Sequence, residues 1–436
     1  MGWLPQEGDT VVDKSGTHFV LGKEKGRGGE GIVFATQAEG AAVKIITGTS
    51  TTREDLGNRI LRVTRLPVLD LPVAIPRYVL TGSDIGYSMT LVTGMTSLSE
   101  LVLPSVLSPF TKSWYQETGG LMKRLMVVEA LAEVIGSLHA RGLVYCDLSA
   151  NNVLISESIE RSRLFLIDLD NLQYSTEPPR RIWTAPYSAP EQSDTGASQS
   201  TDDFSLAILV FSLLTGSNPF YGQALDKAFP EDYMNLPFAK SAPWIDDPYD
   251  LSNKWDSCIE RRIVFSPMMY KLCHQTFTLG RYETSSRHSA PEYAIAARRA
   301  RHALYRCAEC GWDNYVSSEH CESCGCITDL EVVKVFRYFD GSLQPFDLCP
   351  LIVLDPQQDC EVRGLTLGLS GPAEAICLLI RSNSGKLEVE IQDARLQFEN
   401  FPNRTKIEIG ANGELVIARK NRDSLVFCFG KISRSS

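Results

Sequence analysis

Four polar residues stand where the surrounding sequence is apolar or tightly turned, and their types suit transfer of a phosphoryl group. Lys44 lies inside Ala41-Ala42-Val43-Lys44-Ile45-Ile46, a strand pattern in which a lone ammonium is costly unless an anion faces it. Asp147 and Asn152 share the segment Tyr145-Cys146-Asp147-Leu148-Ser149-Ala150-Asn151-Asn152, between a helical pattern and the strand Val153-Leu154-Ile155. Asp168 closes the apolar run Leu164-Phe165-Leu166-Ile167. Such a set divides the work. One carboxylate orients a hydroxyl nucleophile, while an amide and a second carboxylate hold magnesium on the phosphates of ATP. Taken singly, each residue is more often a turn former than a catalyst. Their order and spacing carry the reading.

Upstream, Gly26-Arg27-Gly28-Gly29-Glu30-Gly31-Ile32-Val33 spells G-x-G-x-x-G-x-V between the apolar runs His18–Leu21 and Ile32–Ala35. Glycines there let a strand–turn–strand fold closely over phosphates, with backbone N–H groups facing the oxygens. Any glycine-rich hairpin matches this motif, so it gains weight only from Lys44 in the next strand.

A second constellation is made of cysteines. Cys307-x2-Cys310 and Cys321-x2-Cys324 offer four thiolates to one tetrahedral Zn2+, and a segment this short needs a metal to fold. Gly311 and Gly325 permit the turns after each knuckle, Cys326 is the odd thiol, and His320 is an alternative ligand. The spacing, with Tyr305 and Asn314, resembles the Ran-binding-protein type of zinc finger, some of which bind single-stranded RNA or ubiquitin. Trp312 beside the knuckle is read as packing in preference to a base-stacking platform. Docking or bracing is the expected role.

The elements that must position these groups fall into three regions. From about residue 17 to 300, glycine loops, short apolar strands and long amphipathic stretches alternate; residues 304–328 form the cysteine-rich segment; and residues 330–436 run in short alternating patterns such as Lys386-Leu387-Glu388-Val389-Glu390-Ile391, separated by turns such as Asn412-Gly413. The last region is expected to be a small β-sandwich or barrel of unknown role. The stretch Pro230–Asp256 has no clear period. Arg298-Arg299-Ala300-Arg301 reads as the solvated end of a helix, with contact to an acidic partner as the alternative.

Composition agrees with a multidomain globular chain: 436 residues, 43% hydrophobic and 22% charged. A net charge of −10 argues against general nucleic-acid binding. No apolar run is long enough to span a bilayer, and the first residues show no secretory signal or myristoylation pattern. A cytoplasmic protein is expected, and clustered cysteines among the 12 present fit a reducing compartment.

Over residues 17–300 the chain resembles the protein kinase superfamily. The resemblance implies an α+β, two-lobed protein-kinase-like fold within residues 1–300, with a small lobe at about 17–93 and a large lobe at about 94–300. It assigns the strand lysine to Lys44, the catalytic aspartate to Asp147, and the Mg2+ ligands to Asn152 and Asp168. Gly26, Gly28, Gly31, Val33, Ala42, Lys44 and Leu154 would surround ATP, with Met89–Gly94 as the hinge. Glu54, or alternatively Asp55, would be the small-lobe helix acid that pairs with Lys44. Ala189-Pro190-Glu191 matches the A-P-E element, with Arg287 as the partner of Glu191. Three departures stand out: Cys146 replaces the arginine before the catalytic aspartate, Ser149 replaces a lysine, and Asp168-Leu169-Asp170 replaces D-F-G. Rate and regulation are where these changes bear, and a nucleotide-binding pseudokinase scaffold is the alternative to an active serine/threonine kinase. Details around Gly28-Gly29-Glu30-Gly31 and Leu166–Gln173 resemble bacterial eukaryotic-like (Hanks-type) kinases of tellurite-resistance-associated systems. That narrower resemblance implies a protein substrate in bacterial signalling or stress response, with a von Willebrand A-type protein and a metal-dependent protein phosphatase as partners.

Overall fold

The computed structural model describes residues 5–27, 31–47, 52–82, 85–102, 111–158, 163–228, 234–256, 259–339, 342–355, 359–369, 375–383, 386–410, 412–420 and 422–434. The chain divides into two compact units, the first comprising Met1–Phe110, Ala130–Cys258 and Leu272–Pro291, the second Thr111–Glu129, Ile259–Lys271 and Glu292–Ser436.

In the first unit, β1 (Thr10–Val12), β2 (His18–Arg27), β3 (Gly31–Thr36), β4 (Ala41–Ile46), β5 (Pro76–Val79) and β6 (Gly86–Thr90) form an antiparallel sheet of order β1-β2-β3-β4-β6-β5. Strand alternation puts Val43 and Ile45 into a core with Phe19, Leu21, Ile32, Phe34 and Leu80, so the intervening Lys44 points to the opposite face. Gly31 is required by proximity, since a Cβ there would lie 2.3 Å from the Ile45 carbonyl oxygen on the neighbouring strand.

Helix α1 (Arg53–Val63) starts where Thr52 accepts a hydrogen bond from the Asp55 N–H, with Glu54 and Asp55 in the first turn and Arg62 in the last. Leu56, Ile60 and Val63 recur at helical spacing and are buried; Leu56 and Ile60 pack on Val79 and Tyr87. Burial of each such side chain is worth ~1.5–3 kcal/mol, so a charge at Ile60 would detach the helix from the sheet.

The rest of the unit is mainly helical around α3 (Gln199–Thr215), which follows the long α2 (Gly120–Ala140) in the chain. A capping box of Ser198 with Thr201 starts α3, and Gly216 at φ 70° ends it. Phe204, Phe211, Phe220, Trp244 and Phe277 pack ring on ring around it. Short strands carry the polar segments: β7 (Met95–Ser97), β9 (Val153–Ser156) and β10 (Leu164–Leu166) form one sheet, and β8 (Leu143–Val144) pairs with β11 (Gln173–Tyr174). The sequence stretch without a clear period holds the short turns Phe238–Ser241 and Leu251–Asn253 among its described residues.

The second unit contains α4 (Pro267–Phe277) in part, α5 (Ala290–His302) in part, a hairpin of β12 (Leu304–Arg306) and β13 (Asp313–Tyr315), and an all-β region. That region has two antiparallel sheets. One contains β14 (Leu330–Phe339), β15 (Ser342–Pro345), β16 (Leu351–Leu354), β20 (Leu396–Phe398), β22 (Glu414–Arg419) and β23 (Arg422–Ile432); the other has the order β17 (Cys360–Arg363), β18 (Ile376–Asn383), β19 (Lys386–Ile391), β21 (Lys406–Gly410). Both contribute to one core that includes Val333, Val335, Leu378, Ile380, Val389, Ile417 and Phe427, the arrangement of a sandwich. The arginine run in α5 departs from a solvated helix end. Arg298 is buried and donates to Glu129 at 2.8 Å, and Arg301 donates to the same carboxylate at 3.1 Å. A buried acid within reach recruits them.

Candidate active site

β4 presents Lys44 beside Val33 of β3 and Tyr87 of β6 in register. The Lys44 side chain is almost fully buried and its ammonium forms an ion pair with Asp168. The Tyr87 ring centroid lies 5.9 Å from Lys44 Nζ, and its hydroxyl approaches Asp168 Oδ1 at 3.4 Å. Asp168 takes left-handed backbone angles, φ 61° and ψ 49°, at the end of β10, which turns its carboxylate back toward β4. Burial works against the charge of Asp168, yet Lys44 and its hydrogen bonds hold its carboxyl below the ordinary range. Asp170 behaves oppositely. Burial and the adjacent Asp168 charge push its carboxyl up, while Lys44 and Arg59 pull against that shift.

The loop after β8 is clamped from below. Asp202 accepts the backbone N–H groups of Tyr145 at 2.7 Å and Cys146 at 3.0 Å, and His139 Nε2 lies 3.2 Å from it. Gln192 donates to the carbonyls of Cys146 at 2.8 Å and Ile182 at 2.7 Å. Cys146 is thereby held at φ 78°, a conformation unusual for a side chain with a Cβ. The next residue, Asp147, is partly exposed; its Oδ1 accepts the Thr184 hydroxyl at 2.7 Å. Asn152 donates to the Asp147 carbonyl at 2.9 Å and to Asp147 Oδ2 at 3.3 Å, leaving its amide oxygen as the acceptor end. An amide oxygen and the Asp168 carboxylate are the hard donors that suit Mg2+.

In the second unit, the sulfurs of Cys307, Cys310, Cys321 and Cys324 all lie within 4.8 Å of one another. Two pairs, Cys307 with Cys324 and Cys310 with Cys321, are 3.6 and 3.5 Å apart, and no disulfide joins the described cysteines. Ligands about 2.3 Å from a tetrahedral Zn2+ would stand about 3.8 Å apart, so the cluster is close to metal size. Gln116 donates to the Cys310 carbonyl at 2.6 Å, Asp313 accepts the Met122 N–H at 3.0 Å, and Tyr315 donates to the Val264 carbonyl at 2.9 Å. Trp312 is buried and stacked on Tyr115, with centroids 5.9 Å apart. Its ring is committed to packing.

Residues 88–294 match the family model described as the protein kinase domain. The resemblance to a protein kinase domain covers 207 of the 436 residues. A stretch of 123 residues is 29% identical to calcium/calmodulin-dependent serine/threonine-protein kinase 1 of Oryza sativa, covering 27% of this chain and 20% of that protein. Serine/threonine-protein kinase ArnS of Sulfolobus acidocaldarius is 31% identical over 123 residues, 24% of this chain and 20% of that protein. Calcium/calmodulin-dependent protein kinase type IV of Mus musculus is 24% identical over 266 residues, 58% of this chain and 52% of that protein. The chain thus spans from a fifth to about half the length of these relatives.

Among the sequence-predicted residues, Lys44 and Asp168 meet, as do Asp147 and Asn152. Gly26 pairs with Val33 across β2 and β3, Ala42 is buried two residues before Lys44, and Leu154 lies in β9 opposite Phe165. Gly28 lies outside the described residues. Glu191 receives both Arg287 terminal nitrogens, at 2.6 and 2.8 Å. The expectation for Glu54 fails. Glu54 and Asp55 are exposed in the first turn of α1, on the side away from the buried Leu56–Ile60–Val63 stripe, and the Lys44 ion pair is with Asp168. What α1 turns toward the Asp168 segment is basic. Arg59 lies 3.4 Å from Asp170 and 3.3 Å from Asn171 Oδ1; Arg62 pairs with Glu177 and donates to the Leu172 carbonyl at 3.0 Å. The spacing of Arg59 beside Leu56, Ile60 and Val63 was the available signal, since residues 56, 59, 60 and 63 share one helix face. Among the described residues, no helix is long and apolar enough to cross a membrane.

Proposed function

We propose that this chain is an ATP- and Mg2+-dependent serine/threonine kinase that transfers the γ-phosphate to a hydroxyl of a partner protein in bacterial signalling or stress response. The observation that carries this reading is the convergence of Lys44 and Asp168 beside a loop that presents Asp147 and Asn152. Bound Mg2+ would neutralise charge on the polyphosphate, with Asp168 and Asn152 as its protein ligands. Lys44 would hold the phosphates as a point charge, and Gly26, Gly28, Gly31, Val33, Ala42 and Leu154 would line the nucleotide. Asp147 orients the acceptor: the Thr184 hydroxyl at 2.7 Å marks a position from which an alcohol reaches its carboxylate.

The four-cysteine cluster is proposed to hold Zn2+ and to act as a brace, because its knuckles and Trp312 bond to segments of the same unit. The domain limits 1–300, 304–328 and 330–436 are proposed on sequence grounds, as are a cytoplasmic location and the von Willebrand A-type and phosphatase partners. A pseudokinase scaffold is favoured only by Ser149 and Asp170. Radiolabelled ATP with purified protein and candidate partners separates the two, with Asp147→Ala as control. Transfer by wild type and none by the variant supports the kinase; binding of Mg-ATP without transfer to any partner supports the scaffold.

A further inference from the structure

Gln192 is buried at the start of the one-turn helix Gln192–Thr195, directly after Glu191, whose carboxylate is held by Arg287. Its side-chain NH2 gives one hydrogen to the Cys146 carbonyl at 2.8 Å and the other to the Ile182 carbonyl at 2.7 Å. Its oxygen faces the Ala189 N–H at 3.4 Å, which fixes the end of the amide that points to the two carbonyls. An amide has no third hydrogen to donate, so the group is committed to these bonds. Cys146 directly precedes Asp147, and Ile182 stands two residues before Thr184, whose hydroxyl reaches Asp147 Oδ1 at 2.7 Å. Cys146 is pinned on both sides. Asp202 takes its N–H at 3.0 Å and Gln192 takes its carbonyl, and a residue at φ 78° needs such contacts to stay there.

We propose that Gln192 is a positioning residue that fixes residues 182–188 against the Asp147 loop without using any charge. The inference rests on the kinase reading for its purpose, while its geometry is independent of activity. In kinases switched by phosphorylation, an arginine before the catalytic aspartate joins the catalytic loop to the activation segment, here residues 168–191, through a phosphate. The Cys146 side chain offers no such pairing, and the link is made instead to the backbone of that same residue. Bonds to backbone carbonyls fix the path of the chain, and so the place beside Asp147 where an acceptor hydroxyl is seated. Methionine at position 192 would fill a similar space and donate to neither carbonyl.

The test uses the full chain as Gln192→Met, Thr184→Val and the double variant, with Ser193→Ala as a control in the same turn. Gln192→Met should lower kcat roughly tenfold with KM for ATP changed less than about threefold, because the nucleotide side keeps its contacts. Its loss and that of Thr184→Val should combine to less than their product, since both act on the seat beside Asp147. Ser193→Ala should match wild type. Hydrogen exchange without nucleotide gives a readout free of catalysis. The Thr184 N–H is held by Ser188 Oγ at 2.9 Å and the Tyr187 N–H by the Thr184 carbonyl at 2.9 Å. Both should exchange roughly tenfold faster in Gln192→Met, while the α3 amides and the Tyr145 N–H held by Asp202 exchange as in wild type. Unchanged exchange at Thr184 and Tyr187 overturns the proposal. So does faster exchange throughout α3, which would make Gln192 a residue of overall stability only. Multiplicative kcat losses, or a rise in KM for ATP as large as the fall in kcat, overturn it too. If wild type transfers no phosphate, the kinase reading fails, and the exchange comparison still decides the role of Gln192. Should Gln192→Met not fold, Gln192→Glu, which offers at most one proton to the two carbonyls, must show the faster exchange at Thr184 and Tyr187, or the proposal falls.

Discussion

Two sites of this protein are built on opposite plans. The cysteine cluster joins residues 17 apart at most in its closest contacts, Cys307 to Cys324, and two short knuckles fix their own geometry. The proposed phosphate site joins Lys44 to Asp168 across 124 residues, so a sheet, a helix and a loop must all be in place first. The difference teaches where each site is vulnerable. A local cluster depends on its own thiolates and a metal; a long-range cluster depends on charges from elements that sequence spacing does not relate. The small-lobe helix illustrates this, since its acids point to solvent and its arginines meet the acids of another segment.

The largest effect should come from the long-range site. Asp168→Asn should abolish transfer and weaken Mg-ATP binding, because the proposed Mg2+ ligand would lose its charge. Asp147→Ala should lower transfer by roughly 10²–10⁴ while Mg-ATP binding stays near wild type, since it orients only the acceptor. Transfer at the wild-type rate in both variants breaks the comparison at its root.

Next is the local site. Purified protein should contain one Zn2+ per chain, and Cys307→Ser/Cys310→Ser should lose it and unfold the residues around the knuckles, with the sheet of β1–β6 retained. Elemental analysis finding no zinc in protein prepared without chelator removes the metal from the argument. Loss of the β1–β6 sheet in the same variant, seen by hydrogen exchange, would show that the two sites are not independent.

A third test probes whether the second unit also relies on long-range charge. Burial works against the Glu129 charge, but Arg301 and Arg298 hold its carboxyl below the ordinary range. A depressed acid contributes stability that is present above its unfolded pKa of about 4.3 and lost as pH falls through the folded value. Glu129→Ala should therefore destabilise by about 3–5 kcal/mol at neutral pH, because it removes one side of a buried ion pair, and should flatten the acid limb of the melting profile. A melting temperature equal to wild type at neutral pH counts against this ion triad.

The smallest effect is expected in the activation segment. Ser175→Ala/Thr176→Ala and phosphatase-treated wild type should keep kcat within tenfold of untreated enzyme, about 1.4 kcal/mol at the barrier. Cys146 cannot pair with a phosphate, and Glu177 already occupies Arg62 of α1. A larger loss in either would mean that phosphate, not Glu177, ties the segment to the helix.

By itself the sequence determined which chemistry is on offer. Lys44 in an apolar strand, Asp147 and Asn152 at loop spacing, Asp168 at a strand end and paired C-x-x-C knuckles are local patterns, and local patterns follow from the short-range geometry of strands and turns. The alternating residues of the last region likewise announced a β fold whose inner faces meet in one core. Tertiary structure alone decided the partners. Whether Lys44 finds Glu54 or Asp168 depends on how α1 rotates on the sheet, and that rotation is set by burying Leu56, Ile60 and Val63. The same packing sends Arg59 to Asp170, and in the other unit burial turns Arg298 inward to Glu129. An ion pair between distant segments leaves no spacing rule in the chain, because its members are brought together by the hydrophobic contacts of the elements that carry them.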